Sequence, residues 1–177
     1  MHDFAKLGEL SDLTASLVVG HSGNSVSDNG TSQGLGNAVD FALLMHLRSR
    51  SQVVLTSGLT ARLEQYKMPS TADLAILSRT GGFEPEVTGG REVIQLGERA
   101  DYFEATAALR ELGYERIHTE FGAAGFTQLA RHEEGDCILS SISEAGLRAF
   151  CEQQSLTIND LILLPELFIA RVRSVAR

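Results

Sequence analysis

The chain has 177 residues, of which 43% are hydrophobic and 21% are charged. These values are typical of a globular chain that buries one core, so they exclude a disordered or collagen-like protein and favour a single domain spanning residues 1–177. Acidic residues outnumber basic residues by 23 to 15, which gives a net charge of −8. Because a negative surface repels nucleic-acid phosphates and anionic lipids, we expect neither nucleic acid nor a membrane as a partner.

Two further features favour a cytoplasmic protein. No segment approaches the ~18–20 uninterrupted apolar residues of a membrane span, and the first twelve residues carry acids where a signal peptide carries a basic and then an apolar run. Cys137 and Cys151 have neither C-x-x-C spacing nor paired histidines nearby. We therefore expect no disulfide framework and no bound metal.

Strands and helices alternate along the predicted chain. Short apolar runs predict strands, and apolar residues at helical spacing predict helices. The predicted strands are 15–19, 52–56, 74–77, 93–96, 116–119, 137–140 and 167–175, and the predicted helices are 37–50, 60–66, 100–112, 123–131 and 144–153. Asn37 is the expected N-cap of the first helix. This alternation predicts an α/β three-layer sandwich with a mainly parallel mixed sheet, to which the last strand could add an antiparallel edge.

Several polar segments that carry glycine follow these strands. In open α/β sheets, ligands bind at the carboxyl ends of the strands, where helix N-termini offer N–H groups to anions. Gly58 would let the backbone approach a ligand, and Thr60 could cap the next helix. Arg79 offers a guanidinium beside Ser78. An ordinary turn explains Gly58 and Thr60 equally well, and an arginine after a strand is usually only solvated. The G-x-G-x-x-G fingerprint is absent.

The segment 23–36 is rich in Gly, Ser and Asn. Within it, residues 28–36 are flexible and polar enough to lie over a bound substrate, although a long surface loop would have the same composition. The chain has no G-x-S-x-G elbow, and neither cysteine has a histidine placed by the sequence to activate it. Hydrolytic chemistry is therefore not favoured.

Taken in order, the residues resemble the reductase domain of the bifunctional deaminase/reductase of riboflavin biosynthesis, a member of the dihydrofolate-reductase-like superfamily. The matching segments are 20–35 (GHSGNSVSDNGTSQGL) and 40–66. The positions that keep the family pattern with its spacing are Ser32, Leu47, Arg48, Leu55, Thr60 and Glu64. Farther along, Ser78-Arg79 and Glu120-Phe121-Gly122 stand where family members have Ser-Arg and Glu-Gly-Gly. The resemblance spans most of the chain and implies a standalone domain with a dihydrofolate-reductase-like fold.

The resemblance also implies a function. The protein would be an NADPH-dependent reductase of a pyrimidine- or pteridine-like heterocycle, similar to 5-amino-6-(5-phosphoribosylamino)uracil reductase. The cofactor pyrophosphate would lie between the Thr60 turn and the helix after Gly122, and the 2′-phosphate would lie near Ser78 and Arg79. The implied cofactor residues are Ser57, Gly58, Thr60, Ser78, Arg79, Glu120, Gly122 and Ala123, and the implied substrate residues are Ser32 and Glu64.

Glu64 is the candidate catalytic residue. As a carboxylate at the start of a helix beside the strand ends, it would anchor the heterocycle or relay a proton while the nicotinamide carries the hydride chemistry. The structural alternative is a solvated helical glutamate that pairs with Lys67.

The sequence departs from the family pattern in several places: Ser22 replaces a turn aspartate, Gly34 a tryptophan and Ser57 the first glycine of a motif. Phe121 replaces the first glycine of the Gly-Gly pair, and Asp40 and Phe41 stand where family members have an arginine that holds the ribose phosphate of the substrate. A carboxylate there would repel a phosphate, so a non-phosphorylated pteridine or flavin-like heterocycle is a further possibility. The alternative function is a non-catalytic binding module of the same fold that has lost the nucleotide site.

The oligomeric state is the remaining expectation. The apolar segment Leu167–Val172 is predicted to form an edge strand that a second copy would cover. We therefore expect a homodimer.

Overall fold

The described strands form one mixed sheet. The computed structural model describes residues 3–78, 90–97, 101–132 and 135–174. Its strands are β1 (Leu13–Val19), β2 (Val53–Ser57), β3 (Asp73–Leu77), β4 (Val93–Leu96), β5 (Ile117–Glu120), β6 (Asp136–Ser141), β7 (Leu156–Leu164) and β8 (Leu167–Ser174). They lie in the order β4-β3-β2-β5-β1-β6-β8-β7. The first six strands run parallel, and β8 is antiparallel to both β6 and β7. The carboxyl ends of the six parallel strands therefore share one edge, called here the carboxyl edge.

Helices cover both faces of the sheet, which confirms the predicted three-layer sandwich. The described α-helices are α1 (Ala38–Arg50), α2 (Gly58–Leu63), α3 (Tyr102–Glu111), α4 (Gly122–Arg131) and α5 (Glu144–Gln154), and a 3-10 helix spans Phe4–Leu7. On one face, α3, α4 and α5 cover the largest apolar cluster. On the other, the α1–α2 face, each helix covers a separate smaller cluster. None of the helices in the described ranges is long and apolar enough to cross a membrane.

The first two helices begin at polar caps. The Asn37 side chain accepts hydrogen bonds from the amides of Val39 and Asp40 at 2.9 and 3.0 Å, so the predicted cap of α1 is confirmed. The prediction that Thr60 caps α2 is wrong. Ser57 caps the helix, because its Oγ accepts a hydrogen bond from the Thr60 amide at 3.0 Å. As a result, α2 begins and ends earlier than the predicted range 60–66.

Strand β7 was not predicted, and its presence changes the edge of the sheet. Ser155 adopts a left-handed backbone with φ of 53°, which lets α5 turn directly into β7. Because β7 pairs along β8, the prediction that Leu167–Val172 forms the edge is wrong, and β7 is the edge strand. The antiparallel direction of the last strand agrees with the prediction. The homodimer stays a prediction.

Candidate functional site

The carboxyl edge brings together most of the residues predicted to bind the cofactor. Ser57 is in register with Leu77 on β3, and Thr56 is in register with Glu120 on β5. The segments that follow β3, β2 and β5 are therefore neighbours. A Cβ atom at Gly58 would lie 2.5 Å from the Ser78 Oγ, so only glycine allows this approach without a shift. Arg79 lies outside the described residues.

The predicted cofactor residues form two groups along this edge. Ser57, Gly58, Thr60 and Ser78 make up the first group, where the Ser57 hydroxyl also donates to the Thr60 Oγ1 at 2.9 Å. Glu120, Gly122 and Ala123 make up the second group, at the neighbouring strand end.

The start of α4 leaves room for an anion. Its N-cap residue, Phe121, makes no side-chain capping bond, and Gly122 adopts a φ of 72° with no atom within 4 Å of where a Cβ would lie. The Phe121 ring is only 7% exposed and packs against Tyr102 at a centroid distance of 4.2 Å. The ring thus belongs to the core, and the exchange of glycine for phenylalanine leaves the space at Gly122 open. Uncapped amides in such a place are suited to a phosphate group.

Ser32 and Glu64 are in direct contact. The Glu64 carboxylate accepts hydrogen bonds from the Ser32 amide at 2.6 Å and from the Ser32 Oγ at 3.0 Å. The prediction that Glu64 lies at the start of a helix is wrong, since it is the C-cap of α2. The structural alternative for Glu64 was a solvated glutamate that pairs with Lys67. The structure instead shows its carboxylate bonded to Ser32. Glu64 therefore ties the loop that joins β1 to α1 onto the end of α2.

The beginning of the same loop is fixed against α5 by close backbone approaches. A Cβ at Gly23 would lie 2.6 Å from the backbone nitrogen of Phe150, and a Cβ at Gly146 would collide with the Gly20 carbonyl oxygen. The Gln153 side chain also donates a hydrogen bond to the Ser22 carbonyl at 3.1 Å. Side chains larger than glycine at positions 23 and 146 would force these segments apart.

The structure also contains a buried polar cluster on the α1–α2 face that the sequence reasoning missed. Arg48 donates from Nε and Nη2 to the two carboxylate oxygens of Glu120 at 2.7 and 2.8 Å. The Tyr66 hydroxyl donates to the same carboxylate, and the Arg48 guanidinium lies 4.7 Å from the centre of the Tyr66 ring. Burial alone would raise the pKa of Glu120, but the hydrogen bonds and charge of Arg48 outweigh it and hold that pKa below its ordinary value. Glu120 thus stays ionised inside the fold.

The cluster limits what Glu120 offers to a ligand. Its carboxylate binds Arg48 and Tyr66, and its carbonyl oxygen accepts a hydrogen bond from the Thr56 hydroxyl at 2.7 Å. A direct contact between Glu120 and a cofactor stays a prediction.

His118 extends this cluster along the sheet. Its ring is fully buried, with Nδ1 2.8 Å from the Thr14 Oγ1, Nε2 3.0 Å from the Ser16 Oγ, and Nε2 3.5 Å from Glu120 Oε1. Burial lowers the pKa of His118 to about 4, although the Glu120 charge opposes that shift. The imidazole is therefore neutral at pH 7. The sequence did carry a signal for this cluster. Residues two apart share a face of a strand, so Thr14 and Ser16 on β1 and His118 and Glu120 on β5 indicate a polar face on each strand.

The first turn of α1 presents a carboxylate and an exposed ring. Asp40 accepts a hydrogen bond from the Ser140 Oγ at 2.6 Å. Burial raises the pKa of Asp40, and the bond from Ser140 offsets only part of that shift. Phe41, the next residue, is 62% exposed. The first turn of α1 therefore carries a carboxylate bonded to β6 and an exposed aromatic ring. Among the residues that the structure describes, no group of three potential ligands could hold a metal ion.

Comparison with known proteins supports the fold. No protein-family model and no curated protein matches the chain. A pyrimidine reductase-like protein from Corynebacterium diphtheriae matches with a TM-score of 0.69 and 18% identity, over 98% of this chain and 95% of that one. RibD from Acinetobacter baumannii matches with a TM-score of 0.67 and 14% identity over 97% of this chain, which spans only 60% of that protein.

A dihydrofolate reductase from Enterococcus faecalis, solved in complex with NADP(H), also matches the chain. The TM-score is 0.60 and the identity 10%, over 93% of this chain and 98% of that one. The chain therefore has the α/β fold of the dihydrofolate-reductase-like reductases, including those of riboflavin biosynthesis, as the sequence predicted.

Proposed function

We propose that this protein is an NADPH-dependent reductase of a pyrimidine- or pteridine-like heterocycle. One observation carries the proposal. Three polar segments lie next to each other at the carboxyl edge, because they follow the adjacent strands β3, β2 and β5. They are Ser78, the turn at Ser57–Thr60 and the open start of α4 at Gly122. Ligands of open α/β sheets bind in this position. The neighbours in fold that are described as reductases support the same reading.

The cofactor would be held by the backbone and small side chains of this edge. The free space at Gly122 and the uncapped start of α4 fit a pyrophosphate, which would be bounded on its other side by the Ser57–Thr60 turn. Ser78, with Arg79 as the predicted partner, would lie near the 2′-phosphate. When bound, NADPH supplies the hydride, and the residues of this chain bind, orient and exclude water.

The substrate would lack a phosphate at the α1 end of the site. Asp40 stands where family members are expected to have an arginine, and a carboxylate 2.6 Å from the Ser140 Oγ offers no positive charge to a phosphate. The exposed Phe41 ring offers an apolar surface against which a flat heterocycle can pack. The proposal therefore favours a non-phosphorylated heterocycle over a phosphoribosyl one.

Replacing Gly122 tests the cofactor site. We expect NADPH to bind with a micromolar dissociation constant, measured by titration of its fluorescence, and Gly122→Val to weaken that binding at least about tenfold. Valine would place a branched side chain where the phosphate is proposed to lie, at a φ of 72°.

Gly113→Val is the matched control for backbone strain. Gly113 adopts a φ of 93° in open space, but it follows α3 at the other end of the sheet. This variant should share the strain of about 1–2 kcal/mol and keep the NADPH affinity of the unmodified protein. If no NADPH binding is detected up to millimolar concentration, the proposal fails in favour of the non-catalytic binding module.

Removing the charge of Glu64 tests the loop contact. We expect Glu64→Gln to lower kcat at least about tenfold, because two hydrogen bonds to a carboxylate hold Ser32 and the loop in place. NADPH affinity should change much less, since the cofactor is proposed to bind at the strand ends. The assay follows NADPH oxidation with a panel of pteridines and aminopyrimidines. Glu152→Gln, on the exposed surface of α5, is the control. Equal kcat in the two variants would remove Glu64 from the mechanism.

A further inference from the structure

A cavity opens at the end of the sheet opposite the carboxyl edge. Its volume is about 120 Å³, and its polar lining includes Ser11, Thr14, Arg50 and Arg116. The cavity is large enough to hold water, and its lining offers several hydrogen-bonding groups. Of these lining residues, Thr14 belongs to β1 and contacts the fully buried His118.

Two hydroxyl groups flank the His118 ring in the direction of β1. The Thr14 Oγ1 lies 2.8 Å from Nδ1, and the Ser16 Oγ lies 3.0 Å from Nε2. A hydroxyl can both donate and accept a hydrogen bond, so either neutral tautomer of the ring finds a donor at one nitrogen and an acceptor at the other. The ring can therefore change tautomer without losing a hydrogen bond.

Ser16 lies toward the gap between α1 and α2 on the α1–α2 face, where the substrate is proposed to bind and which is called here the substrate groove. The neighbours Ala15 and Leu17 belong to the core of the opposite face, so the alternation of the strand puts Ser16 on the α1–α2 face. The apolar clusters beneath α1 and α2 are separate on this face, and both Ser16 and Val18 are partly exposed. Ser16 thus lies in the gap between the two helices, closer than Thr14 to the carboxyl edge.

We propose that Thr14, His118 and Ser16 form a proton relay that connects the cavity with the substrate groove. The inference rests on the proposed function, because reduction of a C=N or C=O bond needs a proton as well as a hydride. The hydride from NADPH forms a C–H bond and leaves NADP⁺, while the Ser16 hydroxyl gives its proton to the substrate nitrogen or oxygen. The Nε2 proton of His118 then passes to the Ser16 Oγ, the Thr14 hydroxyl protonates Nδ1, and water in the cavity restores Thr14.

The surroundings of the ring favour transfer through a neutral histidine. Burial disfavours a charged imidazolium, as the pKa of about 4 indicates. Two charged groups influence the pKa of the ring, Glu120 and Arg48, and they pair with each other. The Glu120 Oε1 lies 3.5 Å from the His118 Nε2. Exchange of one tautomer for the other moves a proton across the ring without leaving a net charge in the core.

Hydrogen exchange at the ring tests the relay without cofactor or substrate, so its result is separate from the NADPH titration. In protein with ¹⁵N-labelled histidine, we expect the His118 ring N–H to exchange with water at least tenfold faster than the backbone amides of β5. Thr14→Val removes the hydroxyl and should slow ring exchange at least tenfold, whereas Thr14→Ser should restore the rate. Ser16→Ala, a second variant at the other nitrogen, should also slow the exchange.

Thr127→Val is the matched control, since Thr127 is a buried threonine on α4 in the opposite layer. It should leave the ring exchange rate unchanged. Ring exchange as slow as that of the β5 amides in the unmodified protein would overturn the relay. An unchanged rate in both Thr14→Val and Ser16→Ala would overturn it as well.

Discussion

Glu120→Ala should lower the free energy of unfolding by about 3–5 kcal/mol, because it removes one partner of a buried ion pair. The Arg48 side chain is 15% exposed and gives two hydrogen bonds to Glu120, so the variant leaves a guanidinium in the interior without its counter-charge. The Tyr66 hydroxyl loses its acceptor in the same step. Urea unfolding at pH 7 measures the change.

Two further variants show whether the loss of stability comes from burial of the ion pair and from the unpaired charge that Glu120→Ala leaves. Glu144→Ala breaks the exposed pair with Arg148 on α5, and we expect it to cost at most about 0.5 kcal/mol. The double variant Arg48→Met/Glu120→Leu removes both charges, so it should be markedly more stable than Glu120→Ala alone. If Glu120→Ala costs no more than Glu144→Ala, the pair is effectively solvated and the description of a buried cluster is wrong.

Acidification should destabilise the protein through His118. The folded state holds the pKa of this histidine at about 4, below its ordinary value of 6.5. Between these two values the unfolded chain binds a proton that the folded protein does not, so stability is lost as the pH falls from 6.5 toward 4. The contribution of this fully buried group is about 3 kcal/mol by pH 4. The lowered pKa of Glu120 adds to the loss only at lower pH, near and below its ordinary value of 4.5.

His118→Gln isolates this contribution. Glutamine keeps hydrogen-bonding capacity and does not titrate, so its free energy of unfolding should fall less steeply between pH 6.5 and 4.5. Urea unfolding at several pH values in this range gives both curves. His21→Gln is the control, because His21 is exposed and lies in the loop after β1. Parallel curves for the unmodified protein and His118→Gln would contradict the prediction.

The sequence predicted most of the fold because local signals and packing agree there. Most of the parallel strands contain a short apolar run, although β5 (Ile117–Glu120) is largely polar, and Asn37 marks the start of α1. Strand β7 is polar in its first half, at Thr157, Asn159 and Asp160, and its register shifts between Ile158 and Asp160. Its second half, Leu161–Leu164, is an apolar run that the prediction overlooked. Pairing with β8 extends the strand through the polar half, and that tertiary effect is not visible in the local sequence.

The sequence predicted the part of the candidate site whose position follows from the order and direction of the strands. Parallel strands place their carboxyl ends together, which is why Gly58, Ser78 and Gly122 lie along one edge. The buried cluster was missed for a different reason. Arg48 and Glu120 are 72 positions apart in the sequence, and their pairing is visible only in the folded protein. From the sequence alone, each charged side chain is expected to lie on the solvated surface. Only the alternation on β1 and β5 hinted at a polar strip.

The unequal attachment of the loop between β1 and α1 has a consequence for ligand entry. Its first residues are packed against α5, where neither Gly23 nor Gly146 has room for a side chain. Its later part is held to α2 by the two hydrogen bonds between Ser32 and Glu64. Opening would therefore begin at the α2 side and swing about the α5 side. If the protein acts as proposed, a heterocycle would enter past the end of α2, and the Glu64 carboxylate would control both its admission and the escape of the product.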